Sequence, residues 1–368
     1  MRIALIAPPW LSIPPIAYGG IETVIDDLAK GFTAAGHEVL LCATGDSTCP
    51  VPTTWSFSES QSTRMGTSAA ELRQVLFSYA SAGDADIIHD HTLIGPVFAA
   101  ERSLHNVVTT CHGAFDEDLQ KIYQAAAPRI PTIAISQDHA LSAGAIPIAR
   151  VIHHGVNPDR FAVGSGAGDY LAFLGRMAPA KGVDTAIRVA RAAGLPLRIA
   201  AKMSQPEEHQ YFEESVRPLL GGDIVFMGEL GFGDKVELLG NARALLNPID
   251  WPEPFGMVMI EALACATPVV ACRRGSVAEI LQEGLTGYIC DTELELVEAV
   301  QQISSLDRYA CRQSVEQNFS SKRMVDDHLD FYQSVLNSER AIDLRKTPSD
   351  RADLAHGLRG AEPLFQWA

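Results

Sequence analysis

Short apolar runs alternate with amphipathic stretches along most of the chain. "RIALIA" (2–7) has the composition of a buried strand. Ile21, Val24, Ile25, Leu28 and Phe32 then recur at helical spacing until Gly36 ends the pattern. "HEVLLCAT" (37–44), "DIIHDH" (86–91), "NVVTTCH" (106–112), "TIAIS" (132–136) and "RVIHHG" (150–155) predict further strands with helical segments between several of them. This rhythm predicts a parallel sheet covered on both faces. "GSGAG" (164–168) breaks the pattern and is the linker candidate. The rhythm restarts with "YLAFLG" (170–175), "LRIAA" (197–201), "DIVFMG" (223–228), "ARALLNP" (242–248) and "TPVVAC" (267–272), and helices are expected over 183–193 and 208–220. From about 293 the pattern is helical, with Phe319, Met324, Val325, Leu329 and Tyr332 on one apolar face. The expected organisation is two Rossmann-like, doubly wound α/β domains, 1–164 and 165–337. A closing helix over about 338–368 is placed with the first.

A chain of 368 residues exceeds what one core usually supports, in line with two domains. The formal net charge of −16 argues against nucleic acid or an anionic membrane as a broad partner, but leaves room for a local basic pocket. Peripheral membrane contact stays open. The seven cysteines are scattered without a C-x-x-C pair, which points to reduced thiols and no zinc site. "HDH" (89–91) is the one metal-like cluster, and no further ligand follows from its surroundings. The first residues are too short and proline-broken for a signal peptide, and no apolar run approaches about 18 residues, so a cytoplasmic, soluble protein is expected.

Two open parallel sheets bind ligands beyond the carboxyl ends of their strands. Polar residues just after predicted strands are therefore the candidates. "EPFGMVMIE" (253–261) puts Glu253 in a loop ahead of a helix starting near Met257, and Glu261 on the second turn. The pair suits two parts of one ligand lying across the helix start; a dipole-complementing acid and a solvated face are the other reading. In "LGRMAPAKG", Arg176 follows a strand and Lys181 precedes a helix, a spacing that suits a diphosphate or two exposed cations. Gly19 and Gly20 in "AYGGIETV" allow backbone N–H groups close to a phosphate, or simply mark a turn. His112 in "TTCHGAFD" stands where it can reach a substrate oxygen, or serves the structure. Neither a P-loop nor a G-x-G-x-x-G fingerprint is present, which weakens a dehydrogenase reading.

Taken together, "GRMAPAKG", "EPFGMVMIEALACATPVVACRRGSVAEIL", "YGGIE" and "VIHHGVNPDRF" resemble the retaining glycosyltransferases of family 4, which have the GT-B fold: two Rossmann-like domains facing a central cleft. The likeness covers about residues 1–337. It implies transfer of a hexosyl group from a nucleoside-diphosphate sugar to an acceptor hydroxyl on a glycan, glycolipid or small metabolite, with UDP-glucose ahead of GDP-mannose and no metal or other cofactor. By the same resemblance, Glu253 faces the donor sugar, Glu261 the ribose, and Arg176 and Lys181 the diphosphate. Gly19 and Gly20 approach that diphosphate, His112 lies near the sugar and leaving phosphate, and the turn around Met227 to Glu229 meets the base. Phe255, Gly256, Met257 and Val258 form the loop and helix start at the donor. Cys265 and Ala266 depart from the family's usual A-x-G. A UDP-sugar 2-epimerase, another GT-B enzyme or a non-catalytic sugar-nucleotide binder are the competing readings. Domain closure is expected about 164–168.

Overall fold

The computed structural model describes residues 1–345, with side chains through 338. Two all-parallel sheets organise it. The first has seven strands: β1 Arg2–Ile6, β2 Glu38–Ala43, β3 Thr53–Trp55, β4 Ile87–Asp90, β5 Val107–Thr110, β6 Thr132–Ala134 and β7 Ile148–Val151. They run in the order β3-β2-β1-β4-β5-β6-β7. The second has six: β8 Leu171–Arg176, β9 Leu197–Lys202, β10 Ile224–Gly228, β11 Leu245–Asn247, β12 Val269–Cys272 and β13 Gly287–Cys290, ordered β10-β9-β8-β11-β12-β13. Strand order reverses between β1 and β4 in one sheet and between β8 and β11 in the other, the positions where open α/β sheets leave a crevice.

The central strands are buried because helices cover both faces: Ile3 to Ile6 are fully buried, as are Leu245 and Val269, and β4 and β5 end in buried polar residues, His89 and Asp90 and Thr109 and Thr110. The sequence pattern misses β3 and β13, which are short edge strands: β3 is two threonines and a tryptophan, and β13 opens on Gly287 with Tyr288 and Ile289 only partly buried. The helix expected over 208–220 is broken into an α turn, Pro206–Tyr211, a π turn, Phe212–Val216, and a 3₁₀ turn, Arg217–Leu219, that contains Pro218.

The long Ser321–Arg345 helix returns to the first sheet. Its Met324, Val325, Phe331 and Tyr332 pack with Ile3, Val24, Ile25 and Phe32 in one core. Residues 324–335, which the sequence reading puts with the second domain, thus belong to the first domain's core. The closing helix expected over about 338–368 lies outside the described residues beyond Arg345.

Within the described residues the chain crosses between the sheets twice, and the crossings pair. Val156 N–H donates to the Phe319 carbonyl at 2.9 Å, and Ser321 N–H donates to the Val156 carbonyl at 2.7 Å. "GSGAG" is not a free tether: Gly164, Gly166 and Gly168 donate to the carbonyls of Cys265, Gly240 and Asn241. The segment is fastened to the second domain, and the passage between the domains lies at the paired crossings instead. Among the described residues, no helix is long and apolar enough to cross a membrane.

Candidate active site

The cleft between the sheets is lined from the first domain by the Pro14–Gly20 loop and His112, and from the second by Glu229, Leu230, Phe232, Lys235, Trp251 and residues 253–258 with Glu261. The loop from Pro248 to Gly256 follows β11 and ends in Gly256, whose φ of +83° is the left-handed conformation that glycine adopts without strain. That turn starts the Met257–Ala264 helix with its first N–H groups facing the cleft. A second turn clasps the loop: Ser276 N–H donates to the Glu253 carbonyl at 3.2 Å and Ser276 Oγ to the Phe255 carbonyl at 2.5 Å. The "GSVAE" stretch thereby holds Glu253 in place.

Glu253 and Glu261 face the same cleft, each with a lysine. Lys181 Nζ donates to Glu253 Oε1, and Lys235 Nζ to Glu261 Oε1 at 2.5 Å. Glu253 Oε2 is buried with no hydrogen-bond partner among the described residues, a costly arrangement in an enclosed site unless a ligand hydroxyl completes it. Gly20, the first residue of the Gly20–Ala34 helix, lies against Met257 across the cleft.

Arg176 and Lys181 are less direct than their spacing suggests. Arg176 stands 3.5 Å from Glu208, whose other oxygen caps its own helix by accepting from the Ser204 N–H at 2.7 Å. Lys181 is buried behind Glu253, with Nζ 5.4 Å from the Trp251 ring centre. Neither side chain lines the cleft itself. Met227 is half exposed on β10 and does not reach it, whereas Glu229 and Leu230 do.

His112 sits within a line of neighbouring imidazoles, His89, His91, His112 and His154. His91 Nδ1 and His112 Nε2 are 2.9 Å apart, and the His112 and His154 rings stack at 5.3 Å. Burial, with smaller contributions from His139 and His328, pushes His112 down to about 3, so the ring is neutral near pH 7. Within "HDH", His89 is tied to Thr110 and Tyr332, and among the described residues no group of side chains is arranged to hold a metal ion. Burial first, then Glu253 and Glu261, raises the Tyr18 phenol well above its ordinary value.

Lys202, Lys235, Arg160, Phe232 and Tyr18 also line the cleft and were not singled out by sequence. Arg160 lies 4.5 Å over the Phe232 ring on one side, and Lys235 Nζ lies 5.3 Å from the same ring centre. Tyr18 bridges the domains: its N–H donates to Glu229 Oε1 at 3.1 Å, and Lys202 Nζ donates to its carbonyl at 3.4 Å. Glu279 makes a second bridge, accepting from the N–H groups of Gln137 and Asp138 at 2.7 and 2.8 Å and pairing with His153 at 2.7 Å.

Comparison with known proteins places this architecture. Residues 158–319 match the family Glycosyl transferases group 1, and residues 18–160 match Glycosyltransferase Family 4. The chain is 31% identical over 119 residues to N-acetyl-alpha-D-glucosaminyl L-malate synthase of Bacillus anthracis, a match spanning 30% of this chain and 31% of that protein. It is 24% identical to alpha-maltose-1-phosphate synthase of Mycobacterium tuberculosis over 91% of this chain and 100% of that protein. Among solved structures, Anabaena HepE in complex with UDP and glucose superposes with a TM-score of 0.72 at 19% identity, covering 91% of this chain and 100% of that one. With its seven- and six-stranded parallel sheets and both family matches, the chain belongs to the family 4-type glycosyltransferases of GT-B fold.

Proposed function

We propose that the enzyme is a retaining hexosyltransferase that uses a nucleoside-diphosphate sugar, with UDP-glucose ahead of GDP-mannose, and an acceptor hydroxyl on a glycan, glycolipid or small metabolite. The observation that carries the reading is Glu253: one oxygen on Lys181, the other buried and unpaired beside a helix start. A sugar hydroxyl satisfies that oxygen. Glu261, one helical turn on, suits the ribose diol. The relative solved with UDP and glucose supports placing UDP first.

In the proposed reaction the C1–O bond to the diphosphate breaks as the acceptor oxygen bonds to C1 on the same face, and the acceptor proton passes to the leaving diphosphate. Charge grows on that diphosphate. Side-chain cations and helix-start N–H groups meet it, so no metal is required. Neutral His112 orients sugar or phosphate oxygens rather than supplying charge.

Calorimetry with UDP, GDP and their glucose and mannose conjugates tests the donor, and NMR of the anomeric product tests retention. Loss of a transition-state contact costs roughly 10²–10³ in rate. Arg176→Ala and Lys181→Ala are each expected to lose at least that, Arg176 by its own charge at the edge of the cleft and by leaving the buried Glu208 without its cation. Near-full turnover in Lys181→Ala would remove the diphosphate assignment. Glu253→Gln is expected to be severely impaired, and a slow fluorinated donor should leave no glycosyl adduct on Glu253; a stable adduct seen by mass spectrometry would replace the same-face step with a covalent one. Turnover insensitive to EDTA is expected. Nucleotide release without any acceptor would point to an epimerase instead.

A further inference from the structure

Arg160, Arg176, Lys181, Lys202 and Lys235 stand at or beside the cleft, yet their charges are not equally available. Arg160 lies 3.9 Å from Asp27, Arg176 3.5 Å from Glu208, and Lys235 2.5 Å from Glu261; Lys181 is bonded to Glu253. Lys202, at the end of β9, has no carboxylate within ion-pair distance among the described residues, and it lines the cleft. Its recorded hydrogen bond is to the Tyr18 carbonyl at 3.4 Å, longer than the usual N–H···O range. An ammonium carries three donors, so this one retains capacity for a ligand.

Its position is fixed by the sheet. Parallel pairing of β8 with β9 sets Lys202 directly beside Arg176 at the strand ends. The Tyr18 contact sets the same ammonium just ahead of Gly19 and Gly20 in the opposing domain. Glu22, on the first turn of that helix, feels it: burial pushes the Glu22 carboxyl up, and Lys202 pulls it back down without forming an ion pair.

We propose that Lys202 is a phosphate-binding residue of the donor site, contacting the diphosphate on the side facing the first domain. This rests on the reading that a nucleoside diphosphate occupies the cleft. The reason is electrostatic. A cation already held by a carboxylate offers an incoming dianion little net field, since it must share or exchange its partner. A cation facing a carbonyl and, 5.9 Å away, the centre of the uncharged Tyr18 ring keeps its whole charge for a ligand. Lys202 is therefore a side chain that makes the cleft attractive to phosphate before Lys181 and Lys235 rearrange, alongside Arg160, whose neighbour Asp27 burial keeps partly protonated near neutral pH.

The test is calorimetry of wild type, Lys202→Met and Lys202→Arg with UDP, GDP and uridine at two salt concentrations, with melting curves confirming folded protein. A charge-assisted hydrogen bond corresponds to roughly a 10- to 100-fold change in affinity. Lys202→Met is expected to weaken binding of the diphosphate that wild type takes by that factor, to leave uridine unchanged, and to flatten the salt dependence. Lys202→Arg should recover most of the affinity. Unchanged diphosphate affinity in Lys202→Met, or equal losses for uridine and diphosphate, overturns the assignment while leaving the donor reading standing. If wild type binds neither UDP nor GDP, the donor reading falls and the assignment falls with it.

Discussion

At the scale of the residue, the His91–His112 contact sets which hydrogen bond the site can make. One of the two facing nitrogens carries the proton. His91 Nε2 is buried without a partner among the described residues. A buried N–H left unpaired is rarer than a buried lone pair left unpaired, so the proton belongs on His91 Nδ1 and His112 Nε2 accepts it. His112 then carries its own proton on Nδ1 and acts as a donor to substrate oxygen. His91→Phe, which keeps a ring but removes this bond, is expected to lower kcat by roughly 2- to 10-fold with little change in KM. Nitrogen-15 NMR of His112 in wild type reads the tautomer directly, and a proton on Nε2 would reverse the assignment. This scale also shows what sequence made visible. Position after predicted strands singled out Gly19, Gly20, His112, Glu253 and Glu261, and the family resemblance added Glu229 and Phe255 to Val258; all of these face one cleft. It could not show that Arg176 and Lys181 stand against carboxylates, because Glu208 lies 32 positions from Arg176 and Glu253 lies 72 from Lys181. Lys202 and Lys235 carry no local signal at all: one ends an ordinary strand and the other sits on an ordinary helix.

At the scale of the element, the site depends on two turns docked together. Pro179–Lys181 is a short 3₁₀ turn ended by Gly182, whose φ is +70°. The Asp250 N–H donates to the Ala180 carbonyl at 2.9 Å, tying this turn to the loop that carries Glu253. A Cβ on Gly182 would fall onto the Pro248 carbonyl. Gly182→Ala therefore combines a left-handed non-glycine backbone with a clash, and about 1–3 kcal/mol of stability should be lost for the backbone conformation alone. Urea melts measure that loss, and donor affinity should fall with it because Lys181 is the preceding residue. A variant as stable as wild type would show that the turn relaxes freely. Elements of this kind were legible where burial enforces a pattern: the central strands and the Val183–Ala193 helix lie where periodicity puts them. The edge strands β3 and β13 and the π-to-3₁₀ segment were not, because partial exposure and a proline dissolve the period.

At the scale of the whole molecule, the return of the Ser321–Arg345 helix couples pH to stability. His328 on this helix is buried, with its Nδ1 2.7 Å from the Met324 carbonyl. His89 of β4, Phe32 and Tyr332 surround its ring, and Arg323 and Asp327 are the charges nearest it on its own helix. Burial, aided by Arg323 and opposed by the Met324 carbonyl and Asp327, lowers His328 to about 4, against about 6.5 for a histidine in an unfolded chain. Between those values the unfolded state binds the extra proton, so stability rises with pH there. The contribution is complete above about pH 6.5 and is lost as the pH falls toward 4. Asp27 has the opposite sign: burial raises it to about 7, so the folded state keeps a proton that the unfolded chain releases, and that contribution fades as pH rises. A single pH curve mixes the two, but a pair of curves separates them. From pH 7.5 to 5, wild type should lose about 2 kcal/mol more than His328→Gln, because one pKa unit corresponds to about 1.4 kcal/mol and about one and a half units are crossed. Urea melts at both pH values give the difference. Parallel losses in the two proteins would mean that His328 is already protonated in the folded state, and that the imidazole line from this helix toward the cleft is not a neutral one.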